Sequence, residues 1–247
     1  MASLVLPVRA ALQATPRTRI INPDLSGNDF QFKAGQAVFA GLAESQVRRP
    51  YSIACSPTQA REHGLLELLV QIDDHTAPDP HLERAAEGTL LSVEGPMGSF
   101  GLPSPLRERH LLFIAGGTGI APLRSMMWET LATESGVHIG VIYSARSREE
   151  FAYHDELVEL AAQGRIDLQL TITRGARAEW TGGRGRIDAA LIRSMLQAGE
   201  TRALICGPET LVKDASASLR AADVAPERIV SETYGQSAGS AGSAGQT

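Results

Sequence analysis

The hydrophobic pattern changes rhythm once along the chain. Up to about residue 103 the apolar positions fall in short strand-like runs: "LVLPVRAAL", "RTRIINPDL", "GQAVFAGL", "RPYSIACS", "LLELLVQID" and "GTLLSVEGP", divided by Gly, Pro, Asn and Asp. Short strands at this spacing predict a small antiparallel barrel or sandwich. One helix is predicted among them, in "DPHLERAAEG", where Asp79 suits the N-cap, Pro80 the first turn and Gly88 the end.

From residue 110 onward apolar strands alternate with helical segments. The strands are "HLLFIAGG", "VHIGVIYSA", "IDLQLTITR" and "RALICGP"; the helices are expected near 122–132, 149–162, 188–197 and 209–222. Strand and helix in strict turn predict βαβ units around a parallel sheet with right-handed crossovers. The change falls at "LPSPLRER", residues 102–109, with its two prolines, so the expected division is residues 1–103 and 110–235. The Gly/Ser/Ala repeat at 236–247 cannot bury enough surface to offset its ordering entropy and is expected to be a disordered tail.

Composition narrows the chemistry. With 43% hydrophobic and 21% charged residues over 247 positions, the chain has material for a sizeable core. A net charge of −5 gives no reason to expect nucleic-acid binding. Two cysteines supply neither a disulfide framework nor a four-cysteine metal or iron–sulfur site, and the six histidines lack metal-ligand spacing, so no metal is expected. The N-terminus reads poorly as a signal peptide and no apolar run reaches about 18 residues, so the expected location is the cytoplasm without membrane insertion.

Three stretches carry chemistry. "LLFIAGGTGIAPLRSM", residues 111–126, is a strand, a glycine-rich turn and a helix start. Gly116, Gly117 and Gly119 permit positive φ and close approach of a ligand, and the N–H groups of the following helix favour a pyrophosphate. It is not a P-loop, and Pro122 stands where the last glycine of G-x-G-x-x-G belongs. "RALICGPETL" ends a later strand in Cys206, Gly207 and Pro208; in a parallel sheet that turn shares an edge with the first. In "RRPYSIAC" an arginine offers phosphate a planar fork of donors, and a tyrosine two positions on offers a large flat face.

Together these pieces resemble the ferredoxin–NADP reductase superfamily, from about residue 5 to 235. The resemblance implies two domains, an N-terminal antiparallel β-barrel for flavin and a C-terminal α/β parallel-sheet domain for nicotinamide nucleotide. It implies that Arg49, Pro50, Tyr51 and Ser52 form the family's FAD-holding run. Arg49 would pair with phosphate, Tyr51 pack on the isoalloxazine and Ser52 hydrogen-bond near flavin N5. Alternation puts Arg49 and Tyr51 on one face and Ser52 on the other, so the hydroxyl also needs a local twist or bulge. "EGPMGSF", residues 94–100, looks like the segment that closes the barrel. Many relatives carry Ser or Thr at the place of Asp79, which leaves the N–H groups of His81 and Leu82 to meet the flavin pyrophosphate.

By the same resemblance the turn Gly116, Gly117, Thr118, Gly119 to Pro122 meets the nicotinamide pyrophosphate, and Cys206, Gly207 and Pro208 lie by the nicotinamide ring. Cys206, Glu232 and Ser52 are the implied catalytic group, and Tyr234 covers the flavin until nicotinamide displaces it. After the second α/β strand stand Ser144 and Arg146, with Arg174 ending the third. No acidic residue immediately follows the second strand to accept from a ribose hydroxyl, so NADPH is favoured over NADH. The implied activity is an FAD-dependent NAD(P)H reductase in which hydride passes to flavin and single electrons go on to a protein acceptor such as a ferredoxin, an oxygenase component or a haem protein. The competing readings are a non-catalytic nicotinamide-sensing or docking subunit, and an electron-transfer subunit active only in a complex.

Overall fold

The computed structural model describes residues 2–72, 82–134, 136–174, 180–197 and 200–234. Strands β1 (Ala2–Thr15), β2 (Thr18–Pro23), β3 (Ala37–Leu42), β4 (Arg49–Ser52), β5 (Leu68–Gln71) and β6 (Leu90–Met97) form one antiparallel sheet in the order β4-β3-β6-β1-β2-β5. Its two ends meet. Ile53, just past β4, bridges Leu68 of β5, and the Ala54 N–H donates to the Glu67 carbonyl at 2.8 Å. The result is a nearly closed six-stranded barrel. Alternate side chains fill it: Leu6, Val8, Ile21, Val38, Ile53, Leu68, Leu91 and Val93 are buried. β1 serves two neighbours, β6 through residues 2–7 and β2 through 8–15, and register shifts near Val8 and Gln13 let it bend between them.

Two local features follow from sequence chemistry. Helix α1 (Pro57–His63) was not anticipated, although its start carries a capping box, Ser56 with Gln59, and a proline in its first turn. Arg48 and Arg49 have different employment. Nη1 of Arg48 donates to the carbonyls of Leu42, Ser45 and Val47 and so closes the β3–β4 hairpin, where a side chain at Gly41 would collide with the Val47 carbonyl.

Strands β7 (His110–Gly116), β8 (His138–Ala145), β9 (Asp167–Ile172), β10 (Gly183–Arg184), β11 (Thr201–Gly207) and β12 (Ile229–Thr233) form a second sheet, parallel throughout, in the order β10-β9-β8-β7-β11-β12. Helices α2 (Ile120–Thr133), α3 (His154–Ala162), α4 (Ala189–Ser194) and α5 (Glu209–Arg220) cover it. β7 is buried on both faces: Leu111, Phe113 and Ala115 pack with α2 and α3, and Leu112 and Ile114 pack with α4 and α5. Ala54, Leu69 and Phe100 from the barrel side belong to the first of these clusters, so one apolar core is shared by both sheets. Phe100 gives "EGPMGSF" its packing role.

Three expected helices are corrected. The one expected from 149 begins at His154, because Tyr153 takes a left-handed conformation (φ 60) and Arg148–Glu150 form a short 3-10 turn. The one expected near 188–197 is only Ala189–Ser194, with the Asp188 carboxylate capping the Leu191 N–H at 2.8 Å. In "DPHLERAAEG" the described part is a 3-10 turn, Leu82–Arg84; Asp79, Pro80 and His81 lie outside the described residues, as does the 236–247 tail.

At the amino ends of the strands His110 is buried, with Nδ1 2.8 Å from the Thr201 hydroxyl. Burial first, then neighbouring His138, hold its pKa below the ordinary 6.5, against a smaller pull from Asp167. A depressed folded pKa contributes stability that is present above the unfolded value and is lost as pH falls through the folded one. Stability is therefore expected to decline on acidification from about pH 7 to 5. His110→Gln should flatten that limb in denaturant midpoints taken across the range; an unchanged slope would dismiss His110 as its source.

Candidate active site

The strand order reverses between β7 and β11: the chain steps from β7 to β8 and β9 on one side and from β11 to β12 on the other. In open parallel sheets ligands bind outside the carboxyl ends of strands at such a switch point. Two turns meet there, Gly116–Gly119 leading into α2 and Gly207–Pro208 leading into α5. They interlock. A Cβ on Gly119 would overlap the Cys206 carbonyl, and one on Gly116 would stand 3.0 Å from Pro208 Cδ. The close approach that Gly119 permits is thus to the chain's own backbone. Gly117 has φ +54, the left-handed region, and a side chain there would meet the Tyr234 hydroxyl.

Two tyrosines fix this turn. The fully buried Tyr143 donates to the Gly117 carbonyl at 3.1 Å, and Tyr234 donates to the Gly116 carbonyl. The Tyr234 N–H in turn bonds the Gly207 carbonyl at 3.3 Å, carrying the end of β12 onto the switch point. Burial raises the pKa of the Tyr234 phenol, opposed by hydrogen bonding with Thr118 and Gly119.

A cleft of about 560 Å³ opens over both turns. The structure brings into it eight of the residues expected from sequence: Gly116, Gly117, Thr118, Ser144, Arg146, Arg174, Pro208 and Tyr234. It adds Arg186, which lies in a glycine-flanked run, "GRGR", that offered a signal, and Arg17 and Gln71 from the barrel side, which offered none. Pro122 does not line the cleft; it is buried in the first turn of α2, where a missing N–H leaves no intrahelical bond unmade.

Cys206 and Glu232 are register partners on β11 and β12, one residue before the Gly207–Thr233 pair. Cys206 is buried, and burial, then the Glu232 carboxylate, push its thiol well up, so it stays protonated at neutral pH. Burial likewise raises the pKa of Glu232.

The barrel residues stand apart from the cleft. Arg49 and Tyr51 share a face of β4 with their β3 partners Ala40 and Val38; Pro50 and Ser52 share the other with Phe39 and Ala37. No register shift intervenes between β3 and β4, so the bulge expected near Ser52 is not there and its hydroxyl keeps to the opposite face from Tyr51. Arg49, Tyr51 and Ser52 are half-buried and Pro50 is exposed. The Leu82 side chain is buried in the barrel core, which leaves only its backbone to face a ligand.

The cleft can receive an anion: two turn carbonyls are occupied by tyrosine hydroxyls, the N–H groups begin a helix, and Arg17, Arg146, Arg174 and Arg186 line it together with Glu150, Glu209 and Asp214. Fold and site define a two-domain flavin and nicotinamide-nucleotide oxidoreductase. The sequence matches the family described as "Oxidoreductase FAD-binding domain" over residues 6–101 and that described as "Oxidoreductase NAD-binding domain" over 113–217. It is 35% identical over 199 residues to ferredoxin–NADP reductase B of Sorangium cellulosum, covering 75% of this chain and 78% of that one. With NAD(P)H-flavin reductase of Vibrio harveyi it shares 31% identity over 165 residues, 65% of this chain and 68% of the relative. A ferredoxin NADP+ reductase from Neisseria gonorrhoeae with bound FAD and NADP superposes with a TM-score of 0.80 at 21% identity, covering 94% of this chain and 99% of that one. The chain belongs to the ferredoxin–NADP reductase superfamily. Among the described residues no helix is long and apolar enough to cross a membrane.

Proposed function

We propose that this chain is an NADPH-preferring, FAD-dependent reductase that passes electrons to a protein acceptor. The observation that carries the nucleotide preference is the convergence of Arg146, Arg174 and Arg186 on one cleft beside the glycine turn. Arginine binds phosphate through paired, charge-assisted hydrogen bonds, and a 2′-phosphate is what distinguishes NADPH from NADH. When bound, the flavin accepts a hydride at N5 from nicotinamide C4 and releases electrons singly.

The chain's own residues supply placement and polarity. Gly116–Gly119 and the first N–H groups of α2 receive the dinucleotide pyrophosphate. Gly207 and Pro208 bring the backbone close to the nicotinamide, with the neutral Cys206 thiol and the Glu232 carboxyl beneath it. Arg49 and the N–H of Leu82 meet flavin phosphate, and Tyr51 supplies the flat face for the ring. In this reading Ser52, on the other face of β4, does not touch the ring. Tyr234 holds the mouth of the site and gives way to nicotinamide. The acceptor is a separate protein, a ferredoxin, an oxygenase component or a haem protein. Relatives described as "Phenol hydroxylase P5 protein" and "NADH-cytochrome b5 reductase 1" support that range.

The test is a visible spectrum of the purified, FAD-loaded protein before and after anaerobic NADPH, then NADH. Faster bleaching of the flavin band by NADPH is expected, and equal or faster bleaching by NADH would overturn the preference. A protein that takes up no FAD would overturn the reductase itself. Arg174→Ala is expected to weaken NADPH binding about tenfold, corresponding to about 1.4 kcal/mol, while NADH binding changes by less than about twofold. Dinucleotide titrations check it; equal losses for both would place Arg174 on a part the two nucleotides share.

A further inference from the structure

We propose that Arg124 is a positioning residue for hydride transfer, setting the flavin-side strand against the nicotinamide-side turn. This inference rests on the reductase reading above. Arg124 lies on α2 and is only 6% exposed. Its Nη1 donates to the Ala54 carbonyl and to Glu67 Oε1, both at 2.9 Å and both on the barrel side. Its Nε and Nη2 fork onto the two oxygens of Glu156 at 2.7 and 2.6 Å, and the guanidinium lies 4.4 Å from the centre of the Tyr153 ring. Four of its five N–H groups are therefore committed to fixed partners on both sides of the interface.

Two neighbours on the same helix repeat the grip. The Ser125 hydroxyl donates to the Cys55 carbonyl at 2.7 Å. One turn further, the Glu129 carboxylate accepts from the Thr58 N–H at 3.0 Å and faces its hydroxyl at 3.3 Å. Ala54, Cys55 and Thr58 are thus held by their main chain along the side of α2. That segment runs directly out of β4, which carries Tyr51 and Ser52, and α2 begins at the Gly116–Gly119 turn. The span from one candidate ring site to the other is bridged by a rigid helix and hydrogen bonds to backbone. A misplacement of about 1 Å between reacting groups costs on the order of a hundredfold in rate. Arg124 is the residue whose removal releases the most of these bonds at once, without touching either nucleotide site.

The experiment compares full-length wild type, Arg124→Met combined with Glu67→Gln, Arg124→Lys and Ser125→Ala. The paired change avoids leaving the Glu67 carboxylate buried without its cation. Single-turnover flavin reduction at saturating nicotinamide is expected to slow about tenfold or more in the Arg124→Met pair. FAD content and dinucleotide affinity should stay within about twofold, and Arg124→Lys should recover part of the rate. In flavin-free protein the Thr58 amide, whose partner Glu129 lies one helical turn beyond Arg124, is expected to exchange about tenfold faster than in wild type.

A folded, FAD-loaded Arg124→Met pair that is reduced within about twofold of the wild-type rate would overturn the proposal, because loss of stability alone leaves the folded fraction fully competent. An unchanged Thr58 amide would overturn it equally. Should the pair not fold, Arg124→Lys and Ser125→Ala decide: a rate lowered by about two- to fivefold with unchanged affinities supports positioning, and wild-type rates in both reject it. A wild type that neither nicotinamide reduces rejects the reductase reading instead, and the exchange measurement still reports whether Arg124 fixes residues 54–58.

Discussion

Gly119→Ala is expected to unfold about 2–12 °C below wild type and to lose most of its dinucleotide affinity. The added Cβ would overlap the carbonyl of Cys206 and approach the Gly207 nitrogen at 2.9 Å. All of these are main-chain atoms at the carboxyl end of β11, so the strain cannot be relieved by turning a side chain. Overpacking of this kind costs up to about 3 kcal/mol. In a protein of this size each kcal/mol lowers Tm by about 2–4 °C. Gly116→Ala is the control. Its Cβ would face Pro208 Cδ at 3.0 Å and the Leu211 methyl at 3.1 Å but would stand 3.8 Å from the main chain at Gly207 Cα, and its φ of −128 suits any residue. Thermal unfolding of the flavin-free proteins tests the pair. Equal losses would mean that the main-chain overlap at Gly119 costs no more than the side-chain contact at Gly116.

Arg49→Ala and Tyr51→Ala are each expected to weaken FAD binding about 10- to 100-fold. A hydrogen bond to a charged group contributes about 1.5–3 kcal/mol, and stacking on an aromatic face about 0.5–1.5 kcal/mol beyond the area it buries. Equilibrium titration of the flavin-free variants, read by quenching of flavin fluorescence, gives the affinities directly. Wild-type affinity in either would remove that residue from the flavin site. Ser52→Ala should leave affinity nearly unchanged, since its hydroxyl stands on the opposite face.

The architecture was legible because its signals are periodic and local. A continuous apolar run such as "HLLFIAGG" reads as a strand buried on both faces, and β7 is one; the six N-terminal runs each contain a strand of the barrel. Helix limits were less so. Tyr153 is not a residue that announces positive φ, and the late start of α3 depends on its ring packing beneath Arg124. Of the site, the glycines, Arg146, Arg174 and Tyr234, all of which line the cleft or its turns, could be found by motif and order. Arg186 had only the "GRGR" run to mark it, and Arg17 and Gln71 had nothing, because they reach the cleft only after the two sheets are assembled. The roles of Gly119 and Pro122 needed the three-dimensional contacts: one accommodates β11, the other fills the base of α2. Arg124 lies inside the same sixteen-residue motif, but its partners 57 and 70 residues away come to it only through the tertiary fold.

The doublet Arg48–Arg49 bears on how a mutational scan of this protein is read. Screened by yellow colour, alanine at either position would score as a defect in flavin retention. The two defects respond differently to added ligand. On the proposed reading Arg49 pairs with the ligand, so excess FAD restores full occupancy by mass action. At Arg48 the lost group closes the hairpin through three carbonyls, so the pocket wall itself is missing in part of the population, and saturation leaves that fraction colourless. Titrating each hit with FAD after the screen sorts the two kinds of residue in a single step.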